Sequence, residues 1–166
     1  MKSELKKILS HRLKNTKKLV VLGIGSELMQ DDAAGIFVTQ KLIKKFGEAG
    51  SGFKIYTGYT TPENFTKNIT DFHPDHIILF DAADLKMLPG SYTIIPVEAI
   101  TDFSLGTHKL SLIMMIKYLK EVINPEFTVI AVQYKSIEFN GKMTKEVKTA
   151  VNKVKDILCE ILESLR

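Results

Sequence analysis

The run His76-Ile-Ile-Leu-Phe-Asp81 has no polar residue between its ends. A strand of that kind is covered on both faces, as at the centre of a parallel sheet. Parallel neighbours cannot be joined by tight turns and need long crossovers, so this run also demands helices between strands. The rest of the chain supplies both. Lys18-Leu-Val-Val-Leu-Gly-Ile24, Phe53–Tyr59 and Phe127–Gln133 read as further short strands bounded by turn formers. Ser91–Pro96 reads as an edge strand, because Pro89-Gly90 turns into it and Pro96 has no N–H for a central ladder. Between the strands, apolar residues recur at helical spacing over 3–14, over 33–46, after Thr61-Pro62 and from Val147 to Leu165. They do so again over 109–122, marked by Leu110, Ile113, Met114 and Tyr118, with Thr107 as a candidate N-cap. The expected fold is one α/β domain spanning residues 1–166. Its core is a mostly parallel, twisted sheet of about five strands with helices on both faces.

A chain of 166 residues with 45% hydrophobic content suits a single core. No apolar run approaches the roughly 18 residues needed to cross a bilayer. The opening Met-Lys-Ser-Glu-Leu-Lys-Lys is too charged for a signal peptide, so a cytoplasmic location is expected without membrane insertion. The lone Cys159 falls in the apolar pattern of the last helix and reads as a small core residue rather than a nucleophile. Residues 1–18 hold seven Lys or Arg and one Glu, against sixteen basic and eighteen acidic residues in the remainder. This is a basic helical N-terminal extension. Lacking aromatic interleaving and any nucleic-acid motif, it reads as a solvated face with no nucleic-acid partner.

The first strand runs into Gly23-Ile-Gly-Ser-Glu-Leu-Met-Gln-Asp-Asp-Ala-Ala-Gly35. Gly23 and Gly25 suggest a dinucleotide turn, but Leu28 replaces the third glycine and two carboxylates stand where a phosphate would lie. In open α/β sheets, ligands collect outside the carboxyl ends of the strands. Asp31 and Asp32 follow the first strand and Asp81 ends the third. Asp31 is sufficiently explained by favouring the N-terminus of the next helix; Asp32 and Asp81 are left to converge on one edge. Among the histidines, His11 falls on the basic first helix, and His73 and His76 bracket a Pro-Asp turn. His108 ends a polar loop at a helix start, on the carboxylate side if the crossovers are right-handed. Two carboxylates and an imidazole leave positions open and suit a borderline divalent ion such as nickel or zinc.

These segments resemble the hydrogenase maturation endopeptidases, which trim the C-terminal extension from the large-subunit precursor of nickel-iron hydrogenases. Gly25–Gly35 is similar to the family's glycine-rich, double-acidic turn, with Ser26 for a usual Asn and Gln30 and Ala33 for glycines. Thr61-Pro-Glu-Asn64, Asp81-Ala-Ala-Asp84 with Pro89-Gly90, and Thr107-His108 resemble the segments that follow it in order. The resemblance implies that Asp32, Asp81 and His108 bind nickel and carry catalysis. It also implies that the nickel arrives with the precursor, so the free protein holds no tightly bound metal. The ion would polarise the scissile carbonyl or activate a water, or else only dock the substrate while a carboxylate acts as base. Asp84, Glu63 and Asn64 would lie around that centre. The expected protein is a monomeric endopeptidase whose partner is the hydrogenase precursor. The alternatives are an adaptor that senses nickel through the same residues without cutting and, less well supported, a nucleotide-binding module.

Overall fold

The computed structural model describes residues 2–101 and 109–165. Five strands form one sheet in the order β2-β1-β3-β5-β4. They are β1 (Leu19–Ile24), β2 (Phe53–Tyr59), β3 (His76–Ala83), β4 (Tyr92–Ile95) and β5 (Glu126–Gln133). Only β4 runs antiparallel, on β5 at one edge. Every residue of β3 is buried, as the unbroken apolar run requires.

The helices are α1 (Lys2–Arg12), α2 (Ala34–Phe46), α3 (Thr66–Phe72), α4 (Lys109–Val122) and α5 (Lys145–Ser164). One cluster joins one face of the sheet to α1, α2 and α5, through Leu9, Val21, Val38, Leu42, Ile78, Phe80, Val151 and Ile157. A second cluster joins the opposite face to α3 and α4, through Val20, Leu22, Ile69, Ile77, Leu79, Leu112 and Leu119. The basic first helix therefore packs Leu5 and Leu9 into the first cluster and leaves Lys6 and Lys7 exposed. Cys159 is a buried free thiol on α5, and burial pushes its pKa up, as expected of a core residue.

One expectation changes. The apolar residues picked out on α4 do not form its core face: Leu112, Met115, Ile116 and Leu119 are buried, while Leu110, Met114 and Tyr118 are exposed. Two apolar stripes share this helix, and spacing alone cannot say which one meets the sheet. His76 begins β3, as the apolar run requires; its Nε2 lies 2.8 Å from Thr128 Oγ1, and burial beside the Arg12 charge lowers its pKa to about 4. The carboxylate of Asp75, just before it, accepts the Lys17 and Lys18 N–H groups, both at 2.8 Å, fastening the start of β1.

Candidate active site

The connection leaving β1 moves outward to β2, whereas β3 leads to β5 and β4 on the other side. The switch point of the sheet thus lies between β1 and β3, with Gly23 opposite Phe80. Such a crevice is where open α/β sheets place ligands. Asp32 lies in the one-turn 3-10 helix Gln30–Ala33 after β1, and Asp81 lies near the end of β3. The two acids therefore stand on either side of the crevice.

The turn carrying Asp32 depends on close backbone approach. Gly25 has φ 141°, and a Cβ there would fall 1.8 Å from the Asp32 carbonyl oxygen. At Gly35 a Cβ would fall 2.2 Å from the Ile24 carbonyl and 2.4 Å from that of Phe80, so α2 starts directly against β1 and β3. Asp32 is half-buried, and its Oδ2 accepts the Ser26 N–H at 2.9 Å. Gln30 adopts the left-handed conformation, φ 44°, where a glycine is ordinarily at ease. Its Oε1 accepts the Glu138 N–H at 3.3 Å, and its side chain fills the space beside Gly141. Ala33 is not left-handed, with φ −71°.

Asp81 is buried and its Oδ1 accepts the Ala82 N–H at 2.8 Å. Burial raises its pKa well above the carboxylate range, and the negative charge of Asp32 raises it further, only partly opposed by the Ala82 hydrogen bond. Among the described residues, no group of three His, Cys, Asp or Glu side chains is gathered as a metal site. His108 and Thr107 lie outside the described residues; α4, which begins at Lys109, starts at this same edge because β5 follows it in parallel with β3.

Asp31 has a different task from the one expected. Neither the 3-10 turn nor α2 has a side-chain cap, and Asp31 does not point at its own helix. Completely buried, it accepts Lys135 N–H (2.9 Å) and Ser136 N–H (3.2 Å) on Oδ2, Thr144 N–H (2.7 Å) on Oδ1 and the Thr144 hydroxyl (2.9 Å) on Oδ2. Its own N–H donates to the Ser136 carbonyl at 3.2 Å. Asp31 is a clamp between the loop after β1 and the loop after β5.

Gln133 is a second residue that sequence reasoning missed. Buried at the end of β5, it accepts Leu85 N–H (2.7 Å) and Met87 N–H (3.3 Å) on Oε1 and donates from Nε2 to the Tyr134 carbonyl (2.9 Å). It holds the segment that follows Asp81. The available signal was a polar residue ending an apolar strand, the same signal that marks Asp81. Asp84 forms an ion pair with the exposed Lys86. Glu63 lies in the 3-10 turn Pro62–Phe65 after β2, at this edge of the sheet, with Oε2 buried.

The chain as a whole is similar to known proteins. The family model described as HycI, hydrogenase maturation protease, matches residues 36–161. A relative from Methanocaldococcus jannaschii, provisionally named a hydrogenase maturation protease, is 39% identical over 167 residues, covering 98% of each chain. The hydrogenase 3 maturation protease of Escherichia coli strain K12 is 30% identical over 136 residues, covering 81% of this chain and 85% of its own. The crystal structure of a nickel-iron hydrogenase maturation protease from Thermococcus kodakarensis KOD1 superposes with a TM-score of 0.82 at 24% identity, covering 94% of this chain and 99% of the other. The solution structure of an Escherichia coli endopeptidase of this kind gives a TM-score of 0.73 at 29% identity, over 84% and 87% of the two chains.

Proposed function

The chain belongs to the hydrogenase maturation protease family, and from that premise we propose that it removes the C-terminal extension of a hydrogenase large-subunit precursor once nickel has been inserted. The observation that carries this reading is the buried Asp81 beside the charged Asp32 at the switch point. Burial and the Asp32 charge together impose a cost on ionising Asp81. A divalent ion delivered from outside would relieve it. The ion is cargo of the precursor, already held by the precursor's own ligands, and the carboxylates complete its surroundings.

In this reading Asp32, Asp81 and His108 meet the nickel. Two oxygens and one imidazole nitrogen are too few to hold a borderline ion tightly alone, so recognition depends on loading. The backbone geometry at Gly25 and the Ser26 hydrogen bond orient Asp32. Asp81 is oriented by its bond to Ala82 and by the rigid end of a fully buried strand. The ion supplies polarisation of the scissile carbonyl or of an attacking water. A carboxylate turned toward that water accepts its proton, and the proton is then available to the leaving amine.

The test is incubation with the large-subunit precursor from the same organism, with and without nickel, reading the precursor's mass. Loss of a C-terminal peptide only in the nickel-loaded sample is the expected result. Intact precursor in both samples, despite measurable binding, would favour the adaptor reading; cutting of both would remove the nickel requirement.

A further inference from the structure

The outer edge of β2 is only half covered. Leu19 stands opposite Phe53, and its N–H donates to the Gly52 carbonyl at 2.9 Å. In a parallel ladder this turns the backbone groups of Lys54 and Tyr56 toward β1 and those of Phe53, Ile55 and Thr57 outward. The chain itself takes up the first of these: Gly50 N–H donates to the Phe53 carbonyl at 2.9 Å, and Ile55 N–H donates to the Glu48 carbonyl at 2.8 Å. Beyond that point the Ile55 carbonyl and both backbone groups of Thr57 have no partner among the described residues.

A groove of about 580 Å³ runs along this open stretch. Ile43 and Lys44 of α2 wall it on one face of the sheet, and Phe65 and Asn68 wall it on the other. Tyr56 braces the second wall, its ring centroid 4.8 Å from that of Phe65. The upper end of the groove meets the candidate site: the Tyr59 carbonyl accepts the Gly25 N–H at 2.9 Å, and the next residue, Ser26, holds Asp32. The lower end is closed by the 48–50 segment.

We infer that the open edge of β2 is a strand-addition subsite for the extended C-terminal extension of the precursor, beyond the bond to be cut; the inference rests on the peptidase reading above. The open backbone groups along the groove suit an extended chain. From Ile55 to Tyr59 it offers about 13 Å, room for four or five residues at a strand's rise. The precursor body must stay at the carboxyl edge, so the extension enters from the top and descends antiparallel to β2. Thr57 then exchanges two hydrogen bonds with one peptide residue, and the Ile55 carbonyl accepts a third two residues further on. Lys44 and Glu48 flank the groove with opposite charges, so the backbone is what is recognised. An added strand beside β2 lies three strand spacings, about 14 Å, from β3. An extended chain crosses that gap in about four residues, so pairing begins about four residues past the scissile bond.

The test combines Thr57→Pro, which deletes the outward N–H, with shortening of the substrate. KM and kcat are measured for wild type and T57P on nickel-loaded precursor with its full extension and on the same precursor cut back to three residues past the scissile bond. With the full extension, T57P should raise KM about fivefold to tenfold, the loss expected for one or two hydrogen bonds. With the short extension the two enzymes should be equal, and wild-type KM should itself rise. Equal defects of T57P on both substrates, or no effect of shortening, would overturn the subsite. Should T57P fail to fold, hydrogen exchange at the Thr57 amide of wild type decides. Protection on adding a synthetic peptide of the extension supports the subsite; unchanged exchange at saturating peptide refutes it. Absence of any cutting by wild type removes the peptidase reading itself.

Discussion

Replacing Asp31 with Ala separates two accounts of a residue that sequence and structure read differently. A helix-favouring carboxylate at this position contributes about 0.5–1 kcal/mol. The clamp seen here accepts four hydrogen bonds at 2.7–3.2 Å from Lys135, Ser136 and Thr144 while completely buried. Hydrogen bonds to a charged acceptor contribute about 1.5–3 kcal/mol each when counted singly. Those sharing one carboxylate do not add, and the freed donors lie in partly open loops where water reaches some of them. An overall loss of about 3–4 kcal/mol is expected for D31A. Equilibrium urea unfolding measures it directly, with the slope unchanged if the denatured state is unaffected. Hydrogen exchange should speed up at residues 135–144, over a hundred residues away in sequence, more than within α2. A loss below about 1 kcal/mol confined to the start of α2 would refute the clamp and restore the helix-capping account.

Asp32→Asn removes the like charge facing Asp81. The Asp81 pKa should fall toward the ordinary range, visible as a shifted carboxyl titration by NMR, while cleavage of nickel-loaded precursor drops about a hundredfold or more. An unchanged Asp81 titration would show that burial acts alone. Gly35→Ala should cost about 3 kcal/mol or more in urea unfolding, because the new methyl meets the carbonyls of Ile24 and Phe80; near-neutral stability would mean that α2 can slide. His76 has a folded pKa of about 4, lowered from 6.5, so it stays neutral when folded and takes a proton only when unfolded. Its contribution is therefore complete above pH 6.5 and is lost as pH falls from there through about 4. That shift corresponds to ~3 kcal/mol, of which screening at the sheet's amino edge leaves about 2. The difference in unfolding free energy between wild type and His76→Gln should shrink by that amount between pH 7 and pH 4; a constant difference would refute it.

The sheet was legible because continuous apolar runs admit few placements: β3 and β5 pair along their full lengths as their composition demands. Asp32 and Asp81 were legible as acids at strand ends. Asp31 was not, since its partners lie 104–113 residues away and its spacing to the next helix fits a cap equally well. The buried face of α4 was ambiguous because Leu110, Met114 and Tyr118 are as apolar as Leu112, Met115 and Leu119. Gln30 hid a left-handed turn that a glycine would have announced, since its side-chain bond to Glu138 compensates for the strain.

The clamp at Asp31 also sets an order in time. Asp31 and Asp32 belong to the first fifth of the chain, yet their loop is closed by residues 135–144, made only after β5. During synthesis at about 5–20 residues per second, the acids are exposed for several seconds before the segment that fixes them exists. A ribosome-bound chain ending before Thr144 has the acids but not their frame. A member of the hydrogenase maturation protease family thus acquires the frame around these acids only after β5 and the loop that follows it have been made.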